Sequence, residues 1–158
     1  MSPKENRDVP PLKYHYVHRL KQERPDLEIL LNGGVQTLEQ IDTHLLHVDG
    51  VMLGREAYHN PYLMASWDAR YYADASVPRT RSEVVEALLP YIEQMLLEGH
   101  KVRNIARHVL GLFQGVPGAR RWRRMLSDAR SLEGADASLL LRALEDTLRQ
   151  APVDISAQ

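Results

Sequence analysis

Two glycine-containing turns in the first half of the chain have residue types that suit phosphate binding. They follow two short apolar runs, residues 29–31 and 51–53, and comprise Asn32, Gly33, Gly34, Gly54 and Arg55. Glycine lets an anion approach backbone N–H groups without meeting a Cβ, and a guanidinium group matches the geometry of phosphate oxygens. Tight strand-to-helix turns would account for the same glycines. The repetition of the pattern favours a phosphate site.

A second group of candidate residues is cationic. Between residues 99 and 127 the sequence has no Asp or Glu, and it carries Lys101, Arg103, Arg107, Arg120, Arg121, Arg123 and Arg124. A helix turning by about 100° per residue would place the last four on one side, opposite Trp122 and Leu126. Four guanidinium groups on one side suit the phosphate backbone of a nucleic acid. The alternative is a solvated basic surface balanced by carboxylates of neighbouring helices.

The phosphate candidates need a parallel α/β arrangement to bring them together. The two apolar runs predict strands of a parallel sheet that is covered on both faces. Thr37 and Gln40 form a capping-box sequence, which predicts a helix starting at Thr37 between the strands. Further helices are expected before the first strand, up to Pro25, and after Asn60. Ligands of such folds bind where parallel strands end, so both turns are expected in one site.

The second half of the chain predicts only helices. Residues 73–80 are expected to be a linker, and Thr80 begins another capping box that ends at Glu83. Helices are predicted at about 80–99, 101–113, 119–131 and 136–150, with Asp136 as an N-cap and a kink at Pro90. The predicted fold class is therefore α/β plus all-α, with a helical bundle following the parallel strands.

The composition excludes several kinds of site. The 158 residues include no Cys, so the chain can form no disulfide, no thiolate zinc site and no cysteine nucleophile. No apolar run approaches the roughly 20 residues that span a bilayer, and the first residues do not form a signal peptide. We therefore expect a cytoplasmic protein that has no membrane partner.

Two pairs of histidines have a spacing that could bind a metal ion, but other ligands are not evident. His15 and His18, like His44 and His47, are separated by three residues. Neither pair has a clear third ligand nearby, so we interpret them as surface or packing residues and assign no metal site. Paired carboxylates and a Ser-His-Asp arrangement do not stand out, and no catalytic residue is assigned.

Several segments together resemble the C-terminal half of the tRNA-dihydrouridine synthases of subfamily A. The matching segments are residues 2–7, 10–12, 32–34, 37–39, 47–52, 54–61, 107–113 and 117–124. The resemblance implies that residues 1–72 are the last two βα units of an FMN-binding TIM (β/α)8 barrel and that residues 80–150 are a helical tRNA-binding domain. It implies that the two glycine turns hold the phosphate of FMN. It also implies that tRNA contacts Lys4, Arg7, Arg120 and Arg123.

In that family, FMN reduced by NADPH passes hydride to a D-loop uridine of tRNA, and a barrel cysteine protonates the other carbon of the double bond. That cysteine, with a lysine and a histidine that contact the flavin, belongs to the barrel half that has no counterpart in this sequence. We therefore predict that the chain alone does not reduce uridine and that a separate N-terminal half could complete it. Two strands cannot close a barrel, so we also expect residues 1–72 to be poorly ordered alone or to lean on the helices.

Two other functions fit parts of this pattern. A non-catalytic RNA-binding helical module would use only the arginine segment. A fragment of another TIM barrel that binds a phosphate ligand would explain the glycine turns and Arg55, but it would leave the arginines without a role.

Overall fold

The computed structural model describes residues 12–149, which form two compact units. The first unit ends at Glu56 and the second begins at Ala57. Lys4 and Arg7, two of the predicted tRNA contacts, lie outside the described residues. The proposed domain limits, 1–72 and 80–150, stay a prediction.

The first unit alternates helices and strands in the predicted order. Its elements are α1 (Tyr14–Glu23), β1 (Leu30–Asn32), α2 (Leu38–Leu45) and β2 (Gly50–Met52). Helix α2 starts with the predicted capping box, in which Gln40 N donates to Thr37 Oγ1 and Thr37 N donates to Gln40 Oε1, both at 3.3 Å. A five-residue helix, α3 (Arg55–His59), follows β2 where a loop was expected.

The two strands are parallel, as predicted, and pair in register Leu30 with Gly50, Leu31 with Val51 and Asn32 with Met52. Residues 12–149 cover the sheet on one face, not on both as predicted. Leu31 is 1% exposed, whereas Leu30 is 60% and Met52 is 52% exposed. Side chains alternate between the faces of a strand, so the described elements cover the Leu31 face and leave the face of Leu30 and Met52 open.

Polar contacts fix the start of the sheet. Asp49 precedes β2, and its carboxylate accepts hydrogen bonds from the backbone N of Ile29 at 2.8 Å and from Lys21 Nζ of α1, also at 2.8 Å. The ammonium group of Lys21 and the bond from Ile29 hold the pKa of Asp49 below its usual value. The contacts join α1 to the beginnings of both strands.

The second unit contains helices joined by turns and loops, and its described residues form no strand. After a 3₁₀ turn (Pro61–Ser66) it contains α4 (Trp67–Tyr71), α5 (Arg81–Leu97), α6 (Val102–Ala106), α7 (Ala119–Ser127), α8 (Ala129–Leu132) and α9 (Ser138–Leu148). The predicted capping box at the start of α5 is confirmed, since Glu83 N donates to Thr80 Oγ1 at 3.2 Å and Thr80 N donates to Glu83 Oε2 at 2.7 Å. Pro90 lies inside this helix.

Three predicted helices have different limits. The helix expected at 101–113 ends at Ala106, and turns follow it; a Cβ at Gly111 would collide with the carbonyl oxygen of His59, so the chain approaches too closely for an ordinary helix surface. The helix expected at 119–131 is broken at Asp128, whose side chain caps α8. The last helix begins at Ser138, two residues after Asp136, and the Asp136 carboxylate accepts a hydrogen bond from Ser138 N at 2.9 Å.

A core of apolar side chains holds the second unit together. Helix α9 packs against both α5 and α7. The largest buried side chains are those of Trp122, Phe113, Ile92, Leu126, Leu139 and Leu140. Within residues 12–149, every helix is too short or too polar to cross a membrane.

Candidate functional site

The parallel register brings the two glycine turns to one edge of the sheet. Asn32 and Met52 are paired at the ends of their strands. Gly33 and Gly34 follow the first directly, and Gly54 lies two residues after the second. The side chains of Asn32 and Arg55 are exposed beside these turns. The arrangement is the one in which α/β proteins present backbone N–H groups to a ligand.

The backbone angles and packing of the first turn explain why residues 33 and 34 are glycines. Their φ angles are +147° and +64°, values that residues with a side chain rarely adopt. A Cβ on Gly34 would lie 2.5 Å from Leu12 Cδ1. Tyr14 Oη donates a hydrogen bond to the carbonyl oxygen of Gly33 at 2.6 Å. The tight-turn interpretation therefore accounts for both glycines without a ligand.

Gly54 differs from every other glycine of the chain. Each of the other eight has either a left-handed φ or a neighbour that would obstruct a Cβ. Gly54 has an ordinary φ, and a Cβ built on it meets nothing within 4 Å. Neither the backbone nor the packing of the described residues requires glycine here, and this is the situation expected where the missing Cβ makes room for a bound molecule.

The arginine helix α7 is held by its apolar side. Trp122 is completely buried, and its Nε1 donates to the carbonyl oxygen of Val109 at 2.8 Å. Its ring packs against Phe113 with 4.7 Å between centroids, and Leu126 is buried one turn further on. The predicted rotation of this helix is confirmed, because its apolar residues face inward and its four arginines are exposed.

The four arginines are not equivalent. Arg121 Nη1 lies 2.8 Å from Asp146 Oδ1 of α9, so its charge is compensated. Arg123 Nη1 donates to Gln114 Oε1 at 2.9 Å, a bond that orients the guanidinium group and leaves its charge uncompensated. Arg120 and Arg124 form no ion pair with residues 12–149. The expectation of four arginines offered to one partner is therefore wrong for Arg121, because α9 supplies a carboxylate that the acid-free stretch did not reveal.

Arg130 is a further cation of this surface, and the acid-free stretch did not indicate it. It follows Asp128 in sequence and so falls outside that stretch, yet it lines the same surface groove as Arg124. A second overlooked contact joins Tyr58 and His108, whose Oη and Nδ1 atoms are 3.0 Å apart. Fifty residues separate the two, and no local spacing could indicate that they meet.

The histidines of the first unit meet between helices. His18 Nε2 lies 3.3 Å from His44 Nδ1, and the rings of His18 and His47 stack with 4.4 Å between centroids. Burial, followed by the neighbouring imidazoles, lowers the pKa of both His18 and His44. The part of the chain that the structure describes contains no group of three or more ligands suited to a metal ion.

Comparison with known proteins gives a consistent result over the whole chain. The family model described as dihydrouridine synthase (Dus) matches residues 2–151. A protein named tRNA-dihydrouridine(20/20a) synthase from Shewanella oneidensis is 49% identical over 145 residues, which are 92% of this chain and 43% of the relative. Proteins of the same name from Vibrio parahaemolyticus and Pseudomonas aeruginosa are 46% and 54% identical, over 99% and 80% of this chain.

The chain spans less than half the length of these relatives, 43%, 47% and 38% in the three cases. The family match nevertheless includes both glycine turns and the arginine helix α7. The chain belongs to the dihydrouridine synthase family.

Proposed function

We propose that this chain carries the FMN-phosphate-binding and tRNA-binding portion of a flavin-dependent tRNA-dihydrouridine(20/20a) synthase. The similarity to relatives of that name over 92–99% of the chain carries the proposal. The flavin would supply the hydride chemistry, with NADPH as reductant and a D-loop uridine as acceptor. The chain's own residues would bind the cofactor phosphate and the tRNA, and the proposed compartment is the cytoplasm.

The phosphate of FMN is assigned to the edge where both strands end. Gly54 supports this assignment, since its missing Cβ leaves backbone accessible for a reason that the described residues do not supply. Asn32, Gly33 and Gly34 lie at the neighbouring strand end, and Arg55 would add a cation beside them. Gly33 and Gly34 would contribute N–H groups whose orientation the Leu12 and Tyr14 contacts fix.

The open face of the sheet supports the barrel assignment. Parallel sheets are normally covered on both faces, yet Leu30 and Met52 are more than half exposed. We propose that both residues face the interior of a TIM barrel whose remaining strands come from sequence outside these 158 residues, on the same or a separate chain. Residues 80–150 would then form the appended helical bundle that binds tRNA.

The tRNA-binding assignment rests on positive charge that residues 12–149 leave without an ion-pair partner. Arg120 and Arg123 are exposed on α7, and Trp122 and Leu126 hold the opposite side of that helix in the core. Guanidinium groups fixed in this way suit phosphate oxygens. Lys4 and Arg7 are proposed to contact the same tRNA.

The phosphate assignment can be tested by amide NMR on the chain. Addition of FMN, or of inorganic phosphate, should shift the N–H resonances of Gly33, Gly34 and Gly54, and riboflavin, which lacks the phosphate, should not. The Gly54→Ala variant should show weaker shifts with both phosphate compounds. Equal shifts with riboflavin, or no shifts with FMN and phosphate, would contradict the assignment.

A turnover assay tests whether this chain binds cofactor and tRNA while the N-terminal portion supplies the catalytic proton. The chain contains no Cys and so has no thiol to donate the proton that the resemblance assigns to a barrel cysteine. With FMN, NADPH and unmodified tRNA, the chain alone should therefore form no dihydrouridine. Addition of the N-terminal portion of a relative should restore product. Dihydrouridine formed by the chain alone would overturn this division.

A further inference from the structure

A concavity lined by several arginines lies between α7, α8 and α9. It is a surface groove of about 470 Å³, and its lining includes Arg121, Arg124, Arg130, Asp128 and Asp146. Three guanidinium groups and two carboxylates give this lining a formal charge of +1. The question is which of the five charges remain available to a ligand.

Two of the charges cancel within the wall of the groove. Arg121 Nη1 lies 2.8 Å from Asp146 Oδ1, and both side chains are partly exposed, 45% and 38%. The pair joins α7 to α9 and defines one side of the groove. The remaining charges are two guanidinium groups, of Arg124 and Arg130, and one carboxylate.

The remaining carboxylate is already engaged. Asp128 Oδ2 accepts hydrogen bonds from the backbone N of Ser131 at 2.8 Å and from Ser131 Oγ at 3.0 Å, which caps the start of α8. These bonds lower the pKa of Asp128, and the nearby guanidinium groups of Arg130 and Arg124 lower it further. Asp128 thus lies near both arginines, but as a single carboxylate it cannot neutralise both.

We propose that Arg124 and Arg130 bind a backbone phosphate of the tRNA in this groove. The inference rests on the proposed function and adds two residues to the surface assigned to Arg120 and Arg123. Arg124 follows Arg120 by one helical turn, about 6 Å along the axis of α7, so a strand that runs along α7 from Arg120 reaches the groove. The arginines proposed to bind tRNA therefore lie along α7 and on α8.

The chemistry of the lining favours a phosphate over a base. The residues around the groove include no aromatic side chain on which a base could stack, and Met125 is the one apolar member. Two guanidinium groups offer several N–H donors to the oxygens of one phosphate. Such a contact does not depend on the base sequence, so it should contribute the same affinity for different tRNAs.

The proposal is tested by the salt dependence of tRNA binding. The Arg124→Gln/Arg130→Gln variant should make the slope of log affinity against log salt shallower by about 0.7 to 0.9, the change expected for the loss of one phosphate contact. An Arg142→Gln/Arg149→Gln variant removes the same charge from exposed positions outside the groove, one on α9 and one directly after it, and it should change the slope by less than half as much. An Arg124→Lys/Arg130→Lys variant keeps both charges and should retain most of the slope.

The outcomes separate this inference from the proposed function. If the wild-type chain shows no salt-dependent tRNA binding, both are overturned. If Arg120→Gln/Arg123→Gln flattens the slope and Arg124→Gln/Arg130→Gln equals the α9 control, the groove proposal alone is overturned. Circular dichroism of each variant identifies unfolding. If the Gln variant unfolds, the Arg124→Lys/Arg130→Lys variant decides. A salt slope close to the wild-type slope supports phosphate binding in the groove, and a loss of slope equal to that of the Gln variant contradicts it.

Discussion

Trp122 Nε1 and the carbonyl oxygen of Val109 are joined by a hydrogen bond of 2.8 Å inside the core of the second unit. The bond fixes the rotation of α7, because Trp122 is the largest buried side chain on that helix. Trp122 and Leu126 hold the opposite side of the helix in the core, so the arginines face outward. The structural core and the proposed tRNA surface are therefore two sides of one short helix.

The first prediction concerns this bond. Trp122→Phe should lower the free energy of unfolding by about 1–3 kcal/mol, because it removes the indole hydrogen bond to the carbonyl of Val109, which also accepts from Leu112 N at 3.1 Å, and removes part of a close-packed ring. Trp67→Phe is the matched control, since Trp67 Nε1 is buried and has no hydrogen-bond partner among residues 12–149. Denaturant unfolding of the two variants measures the difference. A larger loss for Trp67→Phe would contradict the assigned role of the Trp122 bond.

A second prediction separates the two glycine turns. Gly34→Ala should destabilise the first unit by about 1–2 kcal/mol from the left-handed backbone alone, before the contact with Leu12 is counted. Gly54→Ala should change stability by less than about 0.5 kcal/mol, because its Cβ enters open space. Hydrogen exchange of the Leu31 and Val51 amides reports both effects. Equal destabilisation by the two substitutions would remove the distinction drawn for Gly54.

The histidine contacts predict a pH dependence of the first unit. Burial and neighbouring imidazoles hold the pKa of His18 and His44 below the ordinary value of 6.5. Between the folded-state pKa and 6.5 the unfolded chain therefore binds more protons, so stability is fully present above pH 6.5 and is lost as the pH falls through the folded-state values. NMR titration of the imidazole resonances measures both pKa values directly.

His47 provides the control for this prediction. It lowers the pKa of both His18 and His44, so His47→Gln should move both pKa values upward toward 6.5. The loss of stability in mild acid should then be smaller. Titration of either imidazole above pH 6.5 in the wild-type chain would contradict the account.

Local sequence signals predicted the parts of the structure that depend on local chemistry. Thr37 and Thr80 start helices as expected, because each capping box closes within four residues. The strands are short apolar runs with glycine at their ends, and their parallel pairing follows from the helix between them. The inward direction of Trp122 follows from helical periodicity alone.

Contacts between residues far apart in sequence account for most differences between the predicted and the observed structure. The helix expected to reach residue 113 ends at Ala106, and the later close approach of Gly111 to His59 carries no local signal. The ion pair of Arg121 with Asp146 joins residues 25 positions apart, and it removes one arginine from the expected surface. Arg130 was overlooked because Asp128 ends the acid-free stretch before it, although in the structure the Asp128 carboxylate caps α8.

The most direct test of the central claim is the salt dependence of tRNA binding by the Arg120→Gln/Arg123→Gln variant. If these two side chains bind tRNA phosphates, the slope of log affinity against log salt should become shallower by about 1 to 2 relative to the wild type. Arg142→Gln/Arg149→Gln, which removes equal charge from one position on α9 and one directly after it, should leave the slope close to that of the wild type. An unchanged slope for Arg120→Gln/Arg123→Gln, or an equal change in the control, would contradict the claim that α7 binds the tRNA backbone.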